Sequence, residues 1–287
     1  MIEVLQLLIY GIVLGSILAL GAIGVSLIFG ILRFAHFAHG DMMTLGAYFA
    51  YLVFTTLQLP FPLAVVVAFV GTAAAVAAID WLFYSRLRKS PAIILLISSV
   101  GVALMMRSLV QVFWGSRNRV YDVAIDEAIT FGGLRIQPDQ LLIIGGTIML
   151  VVALHAFLTR TRLGKAMRAM SDNADLARIS GINTDRVVLL TWIIAGGLAA
   201  TAGIFLGLDT RLHPTMGWHM LLPVFAAAIF GGIGKPYGAI VGAFVIGIAM
   251  EMSTLFLPSA YKAAVAFAIM VIMLIWRPTG LFKGKVL

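Results

Sequence analysis

RTRLGKAMRAMSDNADLARISGINTDR, residues 160–186, is the longest run of this chain without a hydrophobic block, and it carries nine charged residues. The sequence on either side is apolar enough to dissolve in lipid, so this run is where a membrane-embedded chain presents itself to water. Its local grammar is that of a short capped helix. Ser171 or Asp172 can cap the free backbone N–H groups of a helix starting near Asn173, Asp175 suits its first turn, and Gly181 supplies a left-handed stop. Such a helix is about 8 residues and ~12 Å long, too short to be stable alone in water, so its neighbours or a partner must hold it. Leu176, Ile179 and Ile182 form one apolar edge, and Ala174, Ala177 and Gly181 form a small-residue edge that permits close backbone approach. The same residues also fit an ordinary positive cytoplasmic loop.

Working outward, 62% of the 287 residues are hydrophobic and only 11% charged, against about 25% charged in a soluble domain. Hydrophobic blocks recur along nearly the whole length and lack the alternation of a membrane barrel. The fold class is therefore all-α, a polytopic transmembrane helical bundle of 8–9 spans forming a single domain over residues 1–287, with 160–186 a cytoplasmic loop within it. The net charge of +8 sits in short loops between spans. Positive-inside topology accounts for it, and nucleic acid is not implied. The absence of cysteine excludes disulfides, thiol catalysis and cysteine metal sites. Residues 1–6 hold one acid and no Lys or Arg, and the apolar run from Leu5 is too long for a signal peptide, so the first helix is expected to be retained.

Nine candidate spans cover residues 5–32, 42–57, 62–83, 92–114, 141–158, 187–208, 220–234, 239–257 and 260–276, two of them short or ambiguous. Three basic clusters are expected to face the cytoplasm: Arg86, Arg88 and Lys89; residues 160–186; and Arg277, Lys283 and Lys285. Between residues 115 and 140, Arg117, Arg119 and Arg135 are outnumbered by Asp122, Asp126, Glu127 and Asp139, which assigns that loop to the outside. Nine crossings put the N-terminus outside and Lys235 inside. A broken or re-entrant helix around residues 34–46 would move the N-terminus inside.

RFAHFAHGDMMTLGAY, residues 33–48, places two histidines and an aspartate between apolar blocks, with Gly40 and Gly46 available for close approach or a helix break. Polar groups at membrane depth are costly and face cavities or pathways; at the surface, His36, His39 and Asp41 would simply be hydrated. Their spacing gives too thin a ligand set for a metal. Gly203 with Gly207, Gly238 with Gly242, and Gly196, Gly197 and Ala200 read as helix-packing contacts. FGGIGKPYG, residues 230–238, is not a phosphate loop, because Pro236 follows Lys235 where Ser or Thr is required. Arg107 and Glu251 lie at similar depths, roughly 20 Å into their spans, so they could form an intramembrane ion pair; alternatively both snorkel to the outer interface. Asp80, His155 and His219, near span ends, read as interfacial.

Four ordered stretches carry a family resemblance: FAHGDMMTLGAY at 37–48, LGKAMRAMSDNADLARISGINTDRV at 163–187, FGGIGKPYGAIVGAFVIG at 230–247 and YKAAVAFAIMVIMLIWRPTGLF at 261–282. The chain resembles the LivH-type permease of branched-chain amino acid ABC importers, which implies the ABC importer permease fold in a bacterial inner membrane. The resemblance implies that the 160–186 loop docks on a cytoplasmic ATPase through Arg168, Asp172, Ala174, Ala177, Arg178, Gly181, Ile182 and Asn183. It places Phe34, His36, Phe37, His39, Gly40, Asp41 and Met42 beside the translocation path. Two positions depart from the family pattern: His36 stands where Asn is usual, and Met250 where the family's acid often precedes the position of Glu251. The implied partners are two ATPase subunits holding ATP and Mg, an extracytoplasmic solute-binding protein, and a second permease that is either LivM-like or a copy of this chain. The chain itself then has no cofactor, metal or catalytic residue. The competing readings are a urea or short-amide importer of the same family and an ATP-independent channel or secondary transporter, for which no paired repeat is evident. A membrane enzyme would have to be built on His36, His39 and Asp41.

Overall fold

The computed structural model describes residues 2–122 and 127–284; Asp126 and Lys285, counted above among the loop charges, lie outside them. Helix α1, Ile2–Leu32, is 31 residues long and apolar on every side, and it is buried almost without a break from Gly11 to Ile31. A helix apolar all round is stable only when surrounded, and α1 is the post around which the bundle is built. Helix α2 runs over His39–Tyr51 and continues as a π-turn through Leu52–Thr56. Helix α3 covers Phe61–Leu87 and α4 covers Ala92–Trp114, each begun after a proline whose missing N–H costs nothing there. A two-residue turn joins strands β1 (Ile129–Phe131) and β2 (Leu134–Ile136). Then follow α5 (Pro138–Arg160), α6 (Arg162–Asp172), α7 (Ala174–Ile179), α8 (Thr184–Asp209), α9 (Met216–Gly231), α10 (Pro236–Leu255) and α11 (Ser259–Trp276).

Each of the nine apolar blocks is thus a helix, and seven helices among the described residues are long and apolar enough to cross a membrane; α2 and the 16-residue α9 are the shorter ones. Around α1 pack α10, α8, α9 and α5. Small residues set the spacing where backbones touch. A side chain on Gly203 would collide with the Met43 carbonyl and one on Gly46 with Ala200, so α2 crosses α8 in direct backbone contact.

The two ends of the bundle differ in charge. Gln6, near the start of α1, exchanges two hydrogen bonds with the backbone of Arg135 in the hairpin, at 2.8 and 2.9 Å. At the far end of α1, Arg33 donates to the Ser171 carbonyl at 3.0 Å, and Arg88 reaches Asp185 at 2.9 Å. Gly232, beside Lys235, lies against Thr279 and Gly284 of the C-terminal segment. The described parts of the three basic clusters therefore gather at one end, and the start of α1 and the β1–β2 hairpin at the other. The positive-inside rule predicts that the basic end faces the cytoplasm. A break does occur, at residues 33–38. Helix α2 then runs back towards the loop before the hairpin, where Thr55 Oγ1 accepts from the Asp122 N–H at 3.3 Å, so the break leaves the start of α1 at the same end as that loop.

Candidate functional site

The break between α1 and α2 is buried, not a hydrated turn. Arg33 adopts a left-handed φ of 60°, which turns the chain out of α1, and Phe34, His36, His39 and Asp41 are 2% exposed or less. His36 and Asp41 each find a partner of their own, whereas the His39 ring nitrogens are buried without a hydrogen bond. His36 Nε2 bonds the Tyr84 hydroxyl at 2.9 Å, and the Phe37 N–H donates to Ser99 Oγ at 3.0 Å. His39 fills a slot opposite Gly24, where any side chain would meet the imidazole ring. The three residues offered as a metal or catalytic group do not converge on one point: the His36 and His39 rings meet edge-on at 6.4 Å, with His36 bonded to α3 and His39 against α1, while Asp41 turns away to α4.

Asp41 sits in the first turn of α2, where the exposed backbone N–H groups favour a negative charge. Its carboxylate is gripped by the fork of Arg107, Nε to Oδ1 and Nη2 to Oδ2, both at 3.0 Å. The guanidinium also lies 4.8 Å from the ring centre of Trp218. The expected Arg107–Glu251 pair does not form. Arg107 takes Asp41, and Glu251 takes Lys262 at 2.6 Å near the outer end. Similar depth was not enough, because each charge had a closer partner of opposite sign on an adjoining element. Arg107 does not snorkel either; its side chain is 15% exposed and bound to Asp41. Gly40 faces Gly217 with its backbone touching, and Thr44 Oγ1 accepts from the Gly217 N–H at 3.1 Å, which fixes α9 across the start of α2. Met42 is wholly buried beneath this contact, while Phe37 stays partly exposed and packs on Phe225 with ring centres 5.5 Å apart.

From the break, contacts lead to the basic end. Tyr84 stacks on Trp192 of α8 at 5.2 Å, and His36 meets the Trp192 ring edge-on at 4.9 Å. Asp80, one turn before Tyr84, is 4% exposed and bonded to Arg88 at 2.5 Å; Arg88 holds Asp185 in the first turn of α8. Asp80 is thus buried and paired, unlike the interfacial residue its position suggested. His155 is exposed and bonded to the Tyr237 hydroxyl at 2.9 Å, and His219 is exposed with its ring 5.8 Å from that of His213. Tyr84, Trp192, Ser99 and Trp218 were not picked out from sequence; single polar or aromatic residues within apolar spans carry no signal until the spans are assembled.

At the basic end, α6 buries Gly164, Met167 and Met170, and α7 is six residues long. Its cap is Asn173, whose side chain accepts from the Leu176 N–H at 2.9 Å, in place of Ser171 or Asp172. Gly181 takes a φ of 85°, the left-handed stop. Ala177 is 4% exposed and turned into the bundle, so it seats α7 and offers no surface. Leu176 and Ile179 point out, 57% and 82% exposed. Ala174, Arg178 and Gly181 are exposed, Ile182 is half-buried, and Asn183 is spent on its own chain, capping α8 through the Arg186 N–H at 3.0 Å. Arg168 and Asp172, exposed on α6, border a cavity against α1.

Comparison with known proteins completes the picture. Residues 7–274 match the family model described as "Branched-chain amino acid transport system / permease component". The chain is 33% identical over 291 aligned residues, 96% of this chain and 94% of the other, to the high-affinity branched-chain amino acid transport system permease protein LivH of Escherichia coli K12. It is 31% identical, with 96% and 95% covered, to BraD of Pseudomonas aeruginosa, which bears the same description. Among solved structures, PsaBC from Streptococcus pneumoniae in complex with Fab superposes with a TM-score of 0.51, covering 94% of this chain and 90% of that one at 16% identity.

Proposed function

This chain belongs to the branched-chain amino acid transport system permease family, and from that premise we propose that it forms half of an ATP-driven import path for branched-chain and other aliphatic amino acids in a bacterial inner membrane. The observation that carries the reading is the buried α1–α2 break. It holds a charged pair inside the bundle, Asp41 buried and Arg107 partly exposed. A partly exposed ion pair in lipid is costly, so the Arg107 side belongs against a second permease subunit and a watered path. The second permease is a related chain or a copy of this one.

Helix α7 supports the assignment of partners. Two outward aliphatic side chains on a helix too short to be stable alone call for a groove, and two cytoplasmic ATPase subunits holding ATP and Mg supply one in this reading. The work of transport is done there. An extracytoplasmic binding protein delivers the solute at the outer end, and closure of the ATPases pulls on α7. The start of α8 transmits that movement through Asp185, Arg88, Asp80, Trp192 and Tyr84 to His36 and the break. The chain supplies path and lever, and no chemical step falls to it.

The test is uptake by the assembled importer in proteoliposomes, with labelled leucine, valine, alanine and urea offered in turn with the binding protein. ATP-dependent accumulation of the aliphatic amino acids is expected. Preferential accumulation of urea would move the chain to the short-amide importers, and movement of solute without ATPase partners would make it a channel or secondary transporter.

A further inference from the structure

At the cytoplasmic end a cavity of about 230 Å³ lies between α1, α6 and the turn from α9 to α10. Its walls include Leu27, Ile31, Leu158 and Met167, each 6% exposed or less. Its mouth is bordered by two cations, Arg168 and Lys235, and by one carboxylate, Asp172. Among the described residues, none of these three charges forms an ion pair. Ser26 belongs to its lining and is fully buried, with a hydroxyl that has no hydrogen-bond partner. Buried polar groups are nearly always satisfied, so an orphan hydroxyl beside a cavity points to something that occupies it.

We propose that this cavity binds a zwitterionic α-amino acid from the cytoplasmic side, and that occupancy slows import by holding α6 against α1. The proposal rests on the reading of the solute as an aliphatic amino acid. Arg168 and Lys235 receive the carboxylate and Asp172 the ammonium. The aliphatic part lies along the walls. A phosphate headgroup would use the cations equally well, but Asp172 would repel it, and an ammonium gives that carboxylate a partner. Helix α6 leads directly through Asn173 into α7, so a ligand bridging α6 to α1 and to Lys235 opposes any movement of the segment that takes the ATPase stroke. Delivered solute thereby limits its own entry. Because Ser26 lacks a partner, a side chain with a terminal hydroxyl is held more tightly than its isostere, threonine over valine.

The experiment uses the assembled importer with its binding protein in proteoliposomes, empty or preloaded with valine or threonine, and reads the initial rate of labelled leucine uptake. Uptake into empty wild-type liposomes tests the solute reading by itself. Without it, that reading and this proposal fall together. With it, preloading is expected to lower the rate several-fold, threonine at lower concentration than valine. Lys235→Glu is expected to weaken the inhibition about tenfold or more, a loss of about 1.4 kcal/mol in ligand binding, while uptake into empty liposomes is unchanged. Leu158→Trp, which fills the cavity, should do the same, and serves if Lys235→Glu assembles poorly. Ser26→Ala should equalise threonine and valine. Normal uptake with no inhibition by internal amino acid, or inhibition untouched in both cavity variants, overturns the proposal. So does a Lys235→Glu defect that follows the phosphatidylglycerol content of the liposomes and not the internal amino acid, which would make this a lipid-headgroup site.

Discussion

Asp41 carries a carboxylate that is 1% exposed in the middle of a membrane protein, and Arg107 satisfies it with two parallel N–H···O bonds. Removing one partner leaves the other charged, buried and unmatched, which costs about 3–5 kcal/mol. Either Asp41→Ala or Arg107→Ala should therefore lower thermal stability in detergent sharply. The double variant should lose less than the sum of the two, by about 0.5–3 kcal/mol. Arg107→Ala combined with Glu251→Ala should instead be additive to within about 0.5 kcal/mol, because the two side chains share no partner. Strict additivity for Asp41 with Arg107, or strong coupling of Arg107 with Glu251, would refute the assignment. A second prediction concerns His213, in the outer loop after α8. Partial burial, and then the neighbouring His219, lower its pKa below the ordinary value. A histidine with a depressed pKa favours the fold while neutral, so its contribution is present above about pH 6.5 and is lost as pH falls below that value. His213→Gln should flatten the fall in melting temperature between about pH 6.5 and 5; an unchanged slope would remove His213 from the account.

Helix α7 divides its faces by function. Ala177 faces inward and seats it, Gly181 at φ 85° ends it, and Leu176 and Ile179 remain for a partner. Replacing both outward residues with Asp should leave the permease folded, since neither supports its core. It should abolish solute-stimulated ATP hydrolysis in the assembled importer and weaken co-purification of the ATPase by about tenfold or more, or about 1.4 kcal/mol. Intact ATPase capture with both aspartates present would remove α7 from the interface. This helix was largely legible in the sequence because its information is local: spacing of three and four residues sorts its edges, and glycine marks its end. The cap shifted to Asn173 because Ser171, Asp172 and Asn173 are all good caps in a row, and packing of α6 through Met167 and Met170 decides among them. The buried break was legible only as an anomaly. His36, His39 and Asp41 stood out as polar residues between apolar blocks, but their partners come from α1, α3 and α4. Tyr84 lies 48 residues from His36, and Arg107 lies 66 from Asp41. Nothing in the local pattern distinguishes those partners from lipid-facing neighbours, which is also why Arg107 was matched to Glu251 by depth alone.

On the scale of the whole molecule, charge decides orientation and the break does not. A helix that re-entered and returned would have reversed the N-terminus, but α1 runs from the acidic hairpin end to the basic end as one segment, and α2 returns towards the outer loop. The Gln6–Arg135 contact makes this a claim about two distant stretches at once: the N-terminus and the β1–β2 hairpin must lie on the same side, and α7 on the opposite one. The chain has no cysteine, so single cysteines report their side without background. Glu3→Cys, Thr130→Cys and Asp175→Cys all fall at exposed positions and leave the basic clusters intact. In right-side-out vesicles a membrane-impermeant maleimide should label the first two and spare the third, and inverted vesicles should reverse the pattern. If Glu3 and Thr130 label from opposite sides, the hairpin does not sit over the start of α1, and the passage of α1 through the bundle is wrong. If all three exchange sides together, the architecture stands but the basic end faces outward. The proposed delivery face, ATPase face and solute cavity beside α6 would then each have to be reassigned.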